Sequence, residues 1–129
     1  MKKVIITGGN SGIGYQAAKQ LAEKGWSVTL FCRRKEAAEQ ACEKIRQQTG
    51  NPHVDYILAD LSEMKSVRKA VEQYIYQEEA LDVLINNAAD FDLSVKSPLI
   101  TKDGLEKQFA TNVGAPFLLS ILLKDLLEK

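Results

Sequence analysis

The run Thr7-Gly8-Gly9-Asn10-Ser11-Gly12-Ile13-Gly14, set directly behind the apolar residues Val4, Ile5 and Ile6, constrains this chain more than any other feature. A strand that ends in a glycine-rich turn and opens at once into a helix, here predicted over residues 15–24, is a backbone arrangement for holding a diphosphate. Glycine reaches positive φ without strain and lets phosphate oxygens approach the main chain. The first N–H groups of the helix have no acceptor within it and point at the anion, helped by the helix dipole. The spacing is G-x-x-x-G-x-G rather than the G-x-G-x-x-G of the common dinucleotide fingerprint. A glycine cluster alone fits a plain loop equally well. Its position between a strand and an amphipathic helix favours the phosphate turn.

Strand and helix signals alternate behind it. Continuous apolar runs fall at residues 3–7, 27–32, 54–59 and 81–86, as expected of parallel strands covered on both faces. Between them lie helical stripes: Ile13, Ala17, Ala18, Leu21 and Ala22; Ala37, Ala38, Ala41, Cys42 and Ile45; Val67, Ala70, Val71, Tyr74 and Ile75. Gly25 is placed to close the first helix and Thr49-Gly50-Asn51-Pro52 the second. The pattern predicts an α/β fold, a doubly wound, Rossmann-like parallel sheet of four strands with flanking helices, as one domain over residues 1–129. Asp103-Gly104-Leu105-Glu106 reads as the capped start of a last helix, with Glu106 placed to reach back to the cap. That helix carries Leu118, Leu119, Ile121, Leu122, Leu123, Leu126 and Leu127, apolar nearly all round, and calls for cover on more than one side. The fourth strand calls for a further neighbour at its open edge. We therefore expect the front part of a larger fold.

Composition removes several function classes. Lys plus Arg and Asp plus Glu both number 17, so there is no basic footprint for nucleic acid. The apolar run at residues 117–123 is too short for a bilayer, and residues 1–3 lead into the first strand with no signal segment expected. Cys32 and Cys42 have neither CxxC nor zinc spacing and read as reduced structural thiols of a cytoplasmic protein with no metal. His53, after Pro52, reads as a surface-loop residue rather than a base.

Six motifs, in order, carry a resemblance: the glycine run at 7–14, Phe31-Cys32-Arg33-Arg34, Asp60-Leu61-Ser62, Asn86-Asn87-Ala88-Ala89, Asp103-Gly104-Leu105-Glu106 and Phe109-Ala110-Thr111-Asn112-Val113-Gly114. The chain resembles the N-terminal half of the short-chain dehydrogenase/reductase family, and within it the retinol-dehydrogenase-like members. The resemblance implies that Gly8, Gly12 and Gly14 shape the pyrophosphate turn, with Asn10, Ser11 and Ile13 against the phosphates. It implies that Asp60 accepts from the adenine amino group beside Leu61, that Asn87 and Ala88 border the cofactor, and that Asn112 belongs to the catalytic set. Independently, a carboxylate at a strand's C-terminal end faces the ligand crevice of such sheets; Asp60 and Ser62 are also placed to cap the third helix. Asn86 reads as a tie between neighbouring backbone. Ala89 stands where the family usually has Gly, a change costing about 1 kcal/mol if that position needs positive φ.

Sheets that select NAD carry an acid about twenty residues past the glycines, at the end of the second strand. Here that strand ends in Arg33 and Arg34, with no acid before Glu36, which favours NADP over NAD because a guanidinium pairs with a 2′-phosphate. A solvated pair of arginines opening a surface helix is the alternative. Family catalysis uses a Ser and a Tyr-x-x-x-Lys pair that this sequence does not supply. Tyr15 and Lys19 have the spacing but sit on the first helix, as neighbours on its surface. Pro116 has no N–H for the Asn112 carbonyl four residues back, the position at which the resemblance implies a water of the proton relay; a kink without a role is the alternative. The expected function is NADP-dependent hydride transfer to or from a small carbonyl or alcohol by a homo-oligomer, with this chain inactive alone. A non-catalytic dinucleotide-binding module and a self-associating fragment are the competing classes.

Overall fold

The computed structural model describes residues 1–10, 12–88, 100–101, 103–105 and 107–128, Gln108 through its backbone alone. Ser11, Ala89 and Glu106, to which roles were assigned above, lie outside the described residues. The elements run β1 (Lys3–Thr7), α1 (Gly12–Glu23), β2 (Ser27–Cys32), α2 (Lys35–Thr49), β3 (Val54–Leu58), α3 (Met64–Gln77) and β4 (Val83–Ile85). There follow α4 (Lys107–Phe109), a π-helical segment (Ala110–Gly114), α5 (Ala115–Leu122) and α6 (Lys124–Leu127).

Among the described residues four strands form one sheet in the order β3-β2-β1-β4, every pair parallel, with Ile5 opposite Thr29 and Leu84. This is the doubly wound sheet expected. Moving outward from β1 to β3 and then back across to β4 sends α1 and α2 to one face and α3 to the other, because such crossovers are right-handed. Side chains alternate accordingly. Val4, Ile6, Val28, Leu30 and Val54 pack with Ala18, Ala22, Ala38, Cys42 and Ile45. Ile5, Phe31 and Ile57 pack with Val67, Ala70, Val71, Tyr74, Ala115 and Leu119. Both faces being covered is the physical reason the strands read as unbroken apolar runs.

Gly25 and Gly50 close α1 and α2 at φ 84 and 73. Asn51, buried behind the second, donates to the carbonyls of Ala22 (3.0 Å) and Trp26 (2.8 Å) and accepts from His53 N–H at 2.8 Å. His53 is an exposed loop residue whose carbonyl accepts from Val28 N–H.

The last helical stretch departs from expectation. Asp103 does not cap its own helix; its Oδ2 accepts the Met64 N–H at 2.8 Å and so caps α3, whose own N-cap Glu63 makes no side-chain cap bond. Helix resumes only at Lys107. It then slips into π register, with Ala115 N–H on the Ala110 carbonyl, and breaks again at Leu123, whose φ is −96 and ψ 0. The missing donor of Pro116, just inside α5, accounts for the slip: the bond it would make to the carbonyl four residues back does not exist. Ala115, Leu119, Leu123 and Leu126 are buried, while Phe109, Val113, Phe117 and Ile121 are exposed at four-residue intervals. β4 is shorter than expected, because Leu81 turns into the core before pairing starts and Asp82 ties to Lys3 through both its N–H (2.9 Å) and its carboxylate (2.8 Å).

Candidate functional site

The C-terminal ends of β1, β2, β3 and β4 meet at a cleft of about 630 Å³. Its walls bring together Gly8 and Asn10 of the turn, Arg33 and Arg34 after β2, Asp60 and Leu61 after β3, and Asn87 and Ala88 after β4. These are eight of the residues singled out from sequence. Gly12 and Ile13 border a neighbouring hollow of about 690 Å³ between α1 and α2, which meets the cleft at Asn10, and Ile13 is 83% exposed. Gly14 is buried beneath the turn.

The glycines are needed for two different reasons. Gly8 and Gly12 have φ of 65 and 60, where an L side chain is strained. Among the described residues outside its chain neighbours, nothing lies within 4 Å of where a Cβ on Gly12 would stand, so this side of the turn has room. No acidic residue occupies the first turn of α1, leaving its dipole end unneutralised. Gly14 instead serves close packing: a Cβ there would stand 2.5 Å from Asn87 Nδ2 and 2.7 Å from the Gly8 carbonyl oxygen.

Beneath the turn the Cys32 thiol is pushed up to about 11 by burial, opposed by the nearby Gly9 and Asn10 backbone. The Gly8 N–H, bonded to the Phe31 carbonyl at 2.9 Å, holds the turn down on β2.

Thr7 joins the turn to β4. Its Oγ1, buried at the end of β1, accepts the N–H groups of both Asn87 and Ala88 at 3.0 Å, and Asn87 Nδ2 donates to the Gly8 carbonyl at 3.2 Å. Asn87 thus does the tying that sequence assigned to Asn86, which is exposed; adjacent asparagines are indistinguishable until strand register decides which points inward. Thr7→Val keeps the shape but strands two half-buried donors, and should lower stability by about 1–3 kcal/mol in urea unfolding. Thr7→Ser should retain most of it. A Val variant within about 0.5 kcal/mol of the parent would show that the hydroxyl is not the tie.

Asp60 is half-buried, and its Oδ1 accepts from Ser62 N–H (3.0 Å) and Ser62 O–H (2.6 Å). It does not cap α3, since that position is taken by Asp103. Lys107 and Thr111 complete the cleft and were missed from sequence. Their one signal was an i,i+4 spacing, legible only once the helix start at Lys107 was known. Asn112 sits half-buried in the π-helical segment beside Thr111; Thr111 is the one on the cleft wall. Tyr15 is turned away: its hydroxyl donates to Gln48 Oε1 at 3.1 Å and Lys44 lies 5.4 Å from its ring centre. Tyr15 therefore serves α1–α2 packing. Among the described residues no group of three or more His, Cys, Asp or Glu is placed to hold a metal, and no helix is long and apolar enough to cross a membrane.

Known proteins share this arrangement. Retinol dehydrogenase 13 of Mus musculus is 44% identical over 128 residues, a match covering 98% of this chain and 37% of that protein. The Pseudomonas aeruginosa RhlG/NADP active-site complex superposes with a TM-score of 0.80 at 28% identity, over 97% of this chain and 47% of that one. A blue fluorescent protein from a metagenomic library, in complex with NADPH, gives a TM-score of 0.77 at 32% identity, over 96% of this chain and 50% of that one. The chain thus spans well under half the length of its curated relative. A family model described as short chain dehydrogenase matches residues 2–129, the same residues that build the sheet, turn and cleft, and the chain belongs to that family.

Proposed function

We propose that this chain is the NADP-holding part of an oxidoreductase that moves hydride between a nicotinamide and a small carbonyl or alcohol. Arg33 and Arg34 beside the glycine turn, with no acid before Glu36, are the observation that carries the choice of NADP. The main-chain amides opening α1 take the diphosphate, Arg33 and Arg34 the 2′-phosphate, and Asp60 with Leu61 the adenine. Asn87 and Ala88 border the path toward the nicotinamide. Bound in this cleft, NADPH supplies the hydride. The slip into π register at Ala110–Gly114, a device often found at functional sites, supports Asn112 as the catalytic residue contributed by this chain. The Ser and Tyr-x-x-x-Lys pair of the family are not supplied here, so the isolated chain binds cofactor without turnover. Buried free thiols at Cys32 and Cys42 support a reducing compartment, the cytoplasm in our reading.

Arg33→Asp is the test. NADPH affinity should fall by about 10–100-fold, with the NADPH-to-NADH preference contracting to near unity or inverting, because a charge-assisted pair is replaced by repulsion. Unchanged NADPH affinity would remove the assignment. The exposed row Phe109, Val113, Phe117 and Ile121 separately supports self-association, which sedimentation velocity would read as a mass above that of one chain.

A further inference from the structure

We infer that Ser62 is a positioning residue that makes Asp60 selective for a base edge carrying an amino donor. The inference rests on the dinucleotide reading above and deepens it. Asp60 is fixed at every polar group but one. Its N–H donates to Ser66 Oγ at 2.8 Å and its carbonyl accepts from Glu63 N–H at 3.0 Å. Both Ser62 donors, N–H and O–H, converge on the same carboxylate oxygen, Oδ1. The 2.6 Å hydroxyl bond is in the range of charge-assisted pairs, and Ser62 itself is only 8% exposed.

With both Ser62 donors on Oδ1, Oδ2 carries no hydrogen bond among the described residues and is the acceptor left for a base entering the cleft that Asp60 lines with Ala59 and Leu61. A base edge that reaches Asp60 meets an acceptor. An exocyclic amine satisfies it. A keto oxygen at the same place opposes it, and the ring N–H that comes with the keto form stands one position away. Ser62 lines the same cleft, but with both its donors on Oδ1 it acts on the base through Asp60.

The experiment compares NADPH with its hypoxanthine analogue, in which the adenine amine is replaced by a keto oxygen, by equilibrium titration of the full chain. The parent should prefer NADPH by about tenfold, one charged hydrogen bond's worth of selectivity. Ser62→Ala should weaken NADPH about tenfold and the analogue by less than about threefold, contracting the preference. Ser62→Thr, which keeps the hydroxyl, should restore it, and Asp60→Asn should erase or invert it. Should Ser62→Ala lose its far-UV signature, Ser62→Cys, with a weaker donor at the same place, carries the comparison. A variant that weakens both ligands equally, or leaves the preference unmoved, overturns the inference. So does a parent that binds both ligands alike, with the dinucleotide reading intact. A parent that binds neither removes that reading and the inference together.

Discussion

Replacing Gly14 with alanine is expected to weaken NADPH binding on the order of a hundredfold and to lower stability by about 2–3 kcal/mol. The new Cβ would stand 2.5 Å from Asn87 Nδ2 and 2.7 Å from the Gly8 carbonyl oxygen. The amide can swing aside, but doing so breaks its 3.2 Å bond to that same carbonyl. The carbonyl is main chain and belongs to the turn itself, so it moves only by reshaping the turn. Gly25→Ala is the informative control. It carries φ 84 with nothing within 4 Å of an added Cβ, and sits at the far end of α1. It should cost about 1 kcal/mol through backbone strain alone, with NADPH affinity intact. Urea unfolding and equilibrium titration of both variants separate the two effects. A Gly14→Ala chain that binds within about threefold of the parent would show that the turn tolerates displacement, contrary to the tight packing described.

A second large effect is expected at alkaline pH. Burial pushes Cys32 from 9.0 to about 11, and Cys42 from 9.0 to about 12, the latter opposed by the charge of Arg46. Burial also raises Tyr74 from 10.0, reinforced by Glu78 and Asp82. Between pH 9 and these raised values the unfolded chain has released protons that the folded chain still holds. The slope of unfolding free energy with pH is then negative. The contribution of these groups is fully present below pH 9 and is lost progressively as pH rises through 11 and 12. Each pH unit of separation is worth about 1.4 kcal/mol per group, so the two thiols alone remove several kcal/mol. Urea midpoints measured under reducing conditions from pH 7.5 to 10.5 should fall steeply above pH 9. Cys42→Val should flatten that decline whatever it does to the midpoint at pH 7.5. A midpoint that stays level to pH 10.5 would contradict the burial of these groups.

The parts of the fold set by local pattern were legible. β1 and β2 begin and end where their apolar runs do, because both faces are covered and the pattern has no ambiguity of face. The glycine turn was legible because positive φ and close approach both demand glycine. What the sequence withheld were choices between tertiary partners. Asp103 has the composition of a cap for its own helix, yet its carboxylate goes to Met64 at the head of α3; nothing local distinguishes the two. Pro116 announced a missing bond but not that the chain would answer with a five-residue π segment. Ile13 was placed with the phosphates by resemblance, while it lies 83% exposed beside the neighbouring hollow. Only its main chain can serve an anion. Lys107 and Thr111 reach the cleft because the last helical stretch packs beside α3 on that face of the sheet, which a linear pattern does not show.

The central claim is that the amides opening α1 hold a diphosphate and that Arg33 reads the phosphate beside it. Titrating uniformly ¹⁵N-labelled chain with NADPH and following the amides of Gly8, Gly12 and Gly14 together with the Arg33 side-chain Nε tests it most directly. Saturable shifts at all four, sharing one dissociation constant and reversed by excess unlabelled chain, are the predicted result. Amides that stay in place at saturating NADPH would contradict it.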